Sequence, residues 1–125
     1  MAKNRESKLW LRLKKVFKDG QIFRVESNTI NGIPDVYGIK NGKSFWCELK
    51  SNDRKNYNLS KFQINWHLDH NAAGGHAFIL VKTLLQRGLK LLEIRDSRTL
   101  TLLAEGEDTE ATLRLLVSRM LRSGL

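Results

Sequence analysis

The fold is decided by the run Gly32-Ile33-Pro34-Asp35-Val36-Tyr37-Gly38-Ile39, which is followed by Lys40-Asn41-Gly42 and then by Lys43-Ser44-Phe45-Trp46-Cys47-Glu48-Leu49-Lys50. Asn-Gly between two segments rich in β-branched and aromatic residues is a strong signal of a hairpin turn. Proline is tolerated at the start of a strand, so Pro34 marks where the first strand can begin. We therefore predict two antiparallel strands joined by a tight turn.

The open end of this hairpin brings three charged side chains together. Side chains alternate between the two faces of a strand, so Glu48 and Lys50 share one face. Cys47 and Leu49 share the other face. With the turn at Asn-Gly, antiparallel pairing places Asp35 opposite Glu48. The sequence therefore predicts a cluster of two carboxylates and one lysine.

This cluster suits a particular kind of chemistry. Two carboxylates a few ångströms apart repel each other unless a cation lies between them. Mg²⁺ prefers oxygen ligands and keeps several of its waters, and a divalent ion lowers the pKa of a water that it binds. A lysine beside the ion can position the attacking water or neutralise charge on phosphoryl oxygens. The cluster therefore indicates metal-assisted hydrolysis of a phosphodiester.

The same residues resemble the signature of a nuclease superfamily. Pro34-Asp35, followed by Glu48-Leu49-Lys50 on the next strand, is similar to the motif of the PD-(D/E)XK nucleases. The run 32–36 together with Leu59-Ser60-Lys61-Phe62-Gln63-Ile64-Asn65-Trp66 is similar to the VRR-NUC branch, including its small stand-alone phage-type members. The resemblance covers residues 6–82. It implies an α/β fold with a restriction-endonuclease-like core, in which a central mixed β-sheet is flanked by helices in the order αβββαβ, with further strands and a helix at the C-terminus.

The resemblance also implies how the cluster works. The side chains of Asp35 and Glu48 and the backbone carbonyl of Leu49 would bind Mg²⁺ or Mn²⁺. Lys50 would assist the water that attacks the phosphorus atom. In the superfamily, an acidic residue on the first helix often completes the metal site, and Glu6 is the position in this sequence that resembles it.

Two residues near the cluster have more than one interpretation. Glu6, expected in the first turn of its helix, either completes the metal site or only favours the helix N-terminus through the helix dipole. Glu26 is a rival for the additional carboxylate, although an exposed strand residue is the simpler interpretation. Gln63 either closes a capping box with Ser60 or, as the VRR-NUC resemblance implies, reaches the active site or a phosphate.

The formal net charge of +9 indicates a polyanionic partner. Basic residues are concentrated in the first helix and in the segment after the hairpin, whereas acidic residues offset the arginines of the C-terminal third. We predict DNA contacts from Lys8, Arg12, Lys55, Tyr57 and Lys61. For Lys55 and Tyr57, which follow the hairpin, an ordinary solvated loop is the alternative.

Periodicity predicts the remaining elements. Apolar residues at three- and four-residue spacing indicate helices, and short apolar runs indicate strands. The second helix is expected to begin at Ser60, to end at a glycine cap within 71–75, and to have Phe62, Ile64, Trp66 and Leu68 as its apolar surface. The other predicted helices are 6–18 and 107–122, and the other predicted strands are 21–27, 77–81, 89–94 and 99–104.

Length and composition limit the remaining possibilities. A chain of 125 residues is expected to form a single nuclease domain over 1–125. No segment approaches the ~18 apolar residues of a membrane span, and no apolar signal segment follows Met1, so we expect a cytoplasmic protein. The small size and the family resemblance imply a bacterial or phage-infected cell. A lone cysteine excludes an internal disulfide, and Cys47 is expected to be a small buried hydrophobe. The three histidines do not have the ligand spacing of a zinc module.

The sequence thus predicts a Mg²⁺- or Mn²⁺-dependent DNA endonuclease. The resemblance implies a homodimer that acts on branched DNA such as Holliday junctions, since cutting two strands symmetrically requires two sites related by a two-fold axis. Leucines of 84–92 and of the last helix would form the dimer interface or complete the core. Three alternatives stay open: a sequence-specific homing or restriction endonuclease, a non-catalytic nucleic-acid-binding module, and an ion-paired fold without a nucleic-acid role.

Overall fold

A six-stranded β-sheet with helices on both faces forms the centre of the molecule. The structure is a computed structural model and describes residues 2–27 and 29–122. No helix within these residues is long and apolar enough to cross a membrane. The helices are α1 (Ala2–Val16), α2 (Lys61–Ala72) and α3 (Glu110–Arg122), a 3-10 turn spans Lys55–Asn58, and the strands are β1 (Gln21–Arg24), β2 (Val36–Lys40), β3 (Lys43–Ser51), β4 (Ala77–Lys82), β5 (Gly88–Glu93) and β6 (Thr101–Glu107).

The strands lie side by side in sequence order from β1 to β6. Neighbouring strands are antiparallel except for β3 and β4, which run parallel. Antiparallel strands can be joined by short turns, whereas a parallel pair needs a crossover connection, and α2 provides it. The residues Ala77–Val81 of β4 are completely buried, as their continuous apolar run predicts. The predicted mixed α/β architecture is confirmed.

The larger core lies between one face of the sheet and the helices α1 and α3. Strand β3 presents Phe45, Cys47 and Leu49 to this core, and the Cys47 thiol is buried as expected. The helices contribute apolar side chains at helical spacing, which bury one stripe of each helix. These side chains are Leu9, Leu13 and Val16 of α1 and Leu113, Leu116, Val117 and Met120 of α3.

The smaller core lies on the opposite face, where α2 packs on β4. Ile64 and Leu68 pack there as predicted, but the fully buried residues of α2 are the polar His67 and Asn71. The prediction that Phe62 belongs to the apolar surface is wrong, because 49% of this residue is exposed. Its backbone approaches Gly32, so the first turn of α2 lies beside the loop that precedes β2.

Several element boundaries differ from those predicted. Helix α1 begins before residue 6, so Glu6 lies beyond its first turn, and the interpretation through the helix dipole loses its basis. Strand β1 ends at Arg24 rather than at residue 27, and the next N–H, of Val25, donates to the carbonyl of Asp35 at 2.6 Å. Strand β6 spans 101–107 rather than 99–104. Helix α3 begins at 110 rather than 107, because the Thr109 hydroxyl accepts a hydrogen bond from a first-turn N–H.

The leucines of 84–92 divide into two groups. Leu89, Leu91 and Leu92 are buried and complete the two cores, which is one of the two roles that the sequence left open for them. Leu84 and Leu85, in the turn between β4 and β5, are exposed. A dimer interface built from the whole segment is therefore excluded.

Candidate active site

The β2–β3 hairpin has the geometry that its sequence predicts. Asn41 and Gly42 both have positive φ values, 53° and 77°, which is the requirement of the two-residue turn that suits the twist of a hairpin. The pairing of Val36 with Cys47 continues the predicted register. Just beyond this pair, Asp35 Oδ2 accepts a hydrogen bond from the backbone N–H of Leu49 at 3.1 Å. Asp35 is thus fixed at the open end of the hairpin.

Glu48 is the most unusual group of this site. Only 3% of the residue is exposed. Its Oε2 atom accepts a hydrogen bond from Gln63 Nε2 at 2.9 Å and lies 3.9 Å from Lys50 Nζ. Its Oε1 atom is buried and accepts no hydrogen bond from any described residue. A buried carboxylate oxygen without a partner is costly, so it marks a position where a proton or a cation is expected.

The electrostatics of Glu48 lead to the same conclusion. Burial raises the pKa of its carboxyl from 4.5 to about 9, and the nearby negative charge of Asp35 adds to the effect. Lys50 opposes the rise. Without a cation, the Glu48 carboxyl therefore favours its protonated form, because a buried carboxylate beside another negative charge is costly. A divalent cation would replace that proton and satisfy both groups.

Gln63 combines both interpretations that its sequence context allows. Its backbone N–H donates to Ser60 Oγ at 3.1 Å, and its side-chain Oε1 accepts from the Ser60 N–H at 2.9 Å, which confirms the predicted capping box. Because the side-chain oxygen is used in this way, the amide nitrogen points away from the cap and donates to Glu48. The cap of α2 thus holds one carboxylate of the site.

The two rivals for the additional carboxylate occupy different positions. Glu6 is half-buried, and burial raises the pKa of its carboxyl, Lys50 lowers it and Asp35 raises it again, so Glu6 lies within electrostatic range of the cluster. Glu26 is exposed and lines the cleft that Asp35 borders. Within residues 2–27 and 29–122, no group of three or more acidic, histidine or cysteine side chains is arranged to hold a metal ion. The close pair is therefore Asp35 and Glu48, with Glu6 nearby.

The Leu49 carbonyl faces the same site. In a strand, the N–H and C=O of one residue point to the same side, and the Leu49 N–H points to Asp35. Strand β2 begins only at Val36, so the Leu49 carbonyl faces the space beyond the end of that strand. The arrangement provides carboxylate and carbonyl oxygens, the ligands that hard divalent ions prefer.

A cleft of about 600 Å³ opens beside these groups. Its walls are the loop that precedes β2 and the first turn of α2, and Asp35 and Gln63 both line it. Gly32, with φ 85°, joins the two walls, since a β-carbon there would lie 2.2 Å from the Phe62 carbonyl oxygen. This role of Gly32 was missed, and the glycine before Ile-Pro-Asp was the available signal for a close backbone approach.

The basic residues predicted to contact DNA fall into two groups. Lys8, Lys55 and Lys61 are exposed and so able to meet a polyanion, although Lys61 Nζ also lies over the ring of Phe62. Arg12 instead forms an ion pair with Asp108 at 2.7 Å, so its charge is neutralised within the fold. Tyr57 packs against the smaller core.

A further arginine was missed by the sequence reasoning. Arg5 Nε donates to the carbonyl of Ser51 at 3.0 Å, a contact that joins α1 to the end of β3. It positions the first turns of α1, including Glu6, beside the cluster. Residues 46 positions apart form this contact, and no local pattern in the sequence signals it.

Comparison with known proteins gives one informative likeness. No family model matches the sequence, and no curated protein is similar to it. The fold is similar to that of Hjc, a Holliday junction resolvase from the archaeal hyperthermophile Archaeoglobus fulgidus, with a TM-score of 0.51 and 15% sequence identity over 73% of this chain and 76% of that chain. At this identity the likeness concerns the fold, and it confirms the restriction-endonuclease-like class predicted from the sequence. The VRR-NUC and phage-type assignments stay predictions.

Proposed function

We propose that this chain is a divalent-metal-dependent DNA endonuclease that hydrolyses phosphodiester bonds in branched DNA. The observation that carries the proposal is the buried Glu48, whose Oε1 has no hydrogen-bond partner among the described residues, while its Oε2 is held by Gln63 and lies near Lys50. An acid that is buried beside a second acid costs free energy, and a catalytic site is where such a cost is found.

The residues present fit Mg²⁺ or Mn²⁺. Asp35, Glu48 and the Leu49 carbonyl would hold the ion, and Glu6 would add a further carboxylate, directly or through a water. When bound, the ion supplies an activated water and charge stabilisation at the phosphate. The oxygen-only donor set argues for a hard cation rather than zinc.

Each neighbouring side chain has its own task. Gln63 holds Glu48 in one orientation, because its amide is itself fixed by the capping box. Lys50 Nζ lies 3.9 Å from Glu48 Oε2, which is too far for a hydrogen bond but close enough for electrostatic attraction. The ammonium group can therefore orient the attacking water or contact a phosphoryl oxygen. Lys8, Lys55 and Lys61 would hold the DNA backbone.

Branched DNA and a homodimer are the finer parts of the proposal. The fold is that of a protein described as a Holliday junction resolvase, which favours a branched substrate. A chain with one cluster needs a second copy to cut two strands symmetrically. A single nuclease domain over 1–125, located in the cytoplasm, is part of the same proposal.

A non-catalytic nucleic-acid-binding module is the alternative from another class. It would need the positive charge but not Glu48, whose burial beside Asp35 weakens the fold. A sequence-specific endonuclease would use the same cluster.

The proposal is tested by cleavage of a four-way junction and of the matching linear duplex with Mg²⁺, with Mn²⁺ and with EDTA. We expect metal-dependent cutting that favours the junction, and a loss of roughly 10²–10³ in the single-turnover rate for Glu48→Ala, comparable to the removal of one transition-state-stabilising group. DNA binding should persist in the variant, because no positive charge is removed.

A matched control is Glu105→Ala, which removes an exposed acid of β6 outside the cleft and should leave the cleavage rate unchanged. Equal cutting of the junction and the duplex would support the nuclease activity and contradict the preference for branched DNA. Tight binding in EDTA without cutting under any condition would favour the binding module instead.

A further inference from the structure

The turn between β4 and β5 presents two leucines to solvent. Leu85 is 88% exposed and Leu84 is 37% exposed, and we call the two residues the leucine tip. Single exposed leucines are common on protein surfaces and need no explanation. Here two adjacent leucines lie together at the end of a turn, and contacts with the rest of the fold hold them there.

The leucine tip is fixed by hydrogen bonds. The backbone N–H groups of Leu84 and Leu85 both donate to the carboxylate of Asp53, each at 2.9 Å. At the base of the turn, Thr83 N–H donates to the Gly88 carbonyl and Gly88 N–H donates to the Thr83 hydroxyl, again at 2.9 Å each. The backbone therefore holds these apolar side chains in solvent and leaves them little freedom to fold back. A fixed apolar tip loses little conformational entropy when it inserts into a partner.

The tip and the candidate active site lie at the same edge of the sheet. Strands β3 and β4 are parallel, so their carboxyl ends meet there, and Lys50 is the register partner of Val81. Leu85 is four residues beyond Val81, so the tip projects no more than roughly 14 Å past Lys50 along the strand direction. That reach corresponds to about four nucleotide steps of a DNA strand.

The charges around the tip indicate the kind of partner. Directly after Asp53, which anchors the tip, the chain continues into Arg54 and Lys55, which are exposed and have no ion-pair partner among the described residues. On the other side, β6 places Glu105 and Glu107 opposite the β5 residues Lys90 and Gly88. The segment that anchors the tip therefore carries two unpaired cations beside Asp53, and Arg87 in the same turn is also exposed. A second copy of this chain, with a net charge of +9, would be repelled there, whereas a nucleic acid would be attracted.

We propose that the leucine tip is a wedge that enters the DNA at an interrupted base stack, such as the branch point of a junction, while Arg54 and Lys55 hold the adjacent phosphates. Apolar side chains inserted between base steps are a known way in which proteins open and bend DNA. Insertion costs least where stacking is already broken. The wedge thus gives a physical cause for preference for branched over linear DNA, and it rests on the proposed function.

The test measures binding rather than cutting. Wild type, Leu85→Ser, Leu85→Met and the control Leu115→Ser, which changes an equally unpartnered leucine of α3 with 70% exposure, are titrated with EDTA present. The ligands are a four-way junction with 2-aminopurine at the branch and the matching duplex. We expect Leu85→Ser to lower the junction-over-duplex affinity ratio by about tenfold and to remove the fluorescence change at the branch. Leu85→Met and Leu115→Ser should retain both.

The outcomes separate this proposal from the nuclease itself. An unchanged affinity ratio for Leu85→Ser, in a wild type that cuts DNA with Mg²⁺, would overturn the wedge alone. A changed sedimentation mass for Leu85→Ser with unchanged DNA binding would overturn it in favour of an interface between copies. No DNA binding by wild type would overturn both proposals, and a tip-dependent junction preference without any cutting would support the wedge and count against the nuclease.

Discussion

One face of β3 is buried from Phe45 onwards, whereas on the other face Glu48 alone is buried among partly exposed residues. Phe45, Cys47 and Leu49 point to the larger core, where loss of contact with water stabilises the fold. Glu48 points to the other face, is equally buried, and has a carboxylate oxygen without a partner. The apolar side chains and Glu48 belong to the same strand. Packing of the apolar side chains in the core therefore fixes the position of Glu48. Burial on one side of this strand therefore stabilises the fold, whereas on the other side it isolates an acid that we propose as a metal ligand.

Leu49→Ala should give the largest effect on stability. It removes a fully buried side chain, and such changes lower the free energy of unfolding by about 2–5 kcal/mol. We expect the molecules that remain folded to bind and cut DNA as before, because the side chain points away from the site. Urea unfolding and cleavage rates per folded molecule measure the two quantities. An exposed control, Leu115→Ala, should change stability by no more than about 0.5 kcal/mol.

Gln63→Leu should have the next largest effect, and it acts on the other face. The variant loses the hydrogen bond to Glu48, and loss of a group that orients a metal ligand costs about 10–100-fold in metal affinity or activity. Titration of the cleavage rate with Mg²⁺ would detect a weaker metal site, which loss of the helix cap alone would not produce. Asn65→Leu, at an exposed position of the same helix, is the control. An unchanged Mg²⁺ dependence would restrict Gln63 to capping.

Per pH unit, the dependence of stability on pH should be the smallest of these effects. In the metal-free protein the pKa of Glu48 is raised to about 9, so the folded chain retains a proton that the unfolded chain releases near 4.5. The folded state binds more protons in this window, and stability should therefore fall as the pH rises through it, by at most about 1.4 kcal/mol per unit. Urea unfolding with EDTA across this range, for wild type and Glu48→Gln, measures the slope. A variant that keeps the wild-type slope would show that another group is responsible.

Much of the site follows from short patterns in the sequence. The hairpin register depends on Asn41-Gly42, and it fixes Asp35, Glu48 and Lys50 relative to one another. The capping box of α2 is equally local, because it joins residues three positions apart. Local geometry dictates such features, so no knowledge of the rest of the chain is needed to derive them.

The features that sequence reasoning missed depend on distant contacts. Asn71 is buried because its amide bonds the carbonyls of Ala77 and Ile94 and the N–H of Ala77, at 3.1, 2.8 and 2.8 Å. Arg12 is held by Asp108, almost the whole chain away. Helical periodicity describes which face of a helix is apolar, and it contains no information about which polar group will find a partner inside the fold.

The parallel pairing of β3 with β4 also bears on how the chain reaches its structure. Strands β1 to β3 join through local connections, whereas Glu48 meets its neighbour Ile79 only after the whole of α2 has crossed over. Pairings between distant residues form slowly, since the loop must close before any contact is gained. We expect the β2–β3 hairpin to form early in refolding and Glu48 to become buried late, when β4 pairs with β3. A divalent ion would then slow unfolding far more than it speeds folding, because the transition state would not yet contain the complete site.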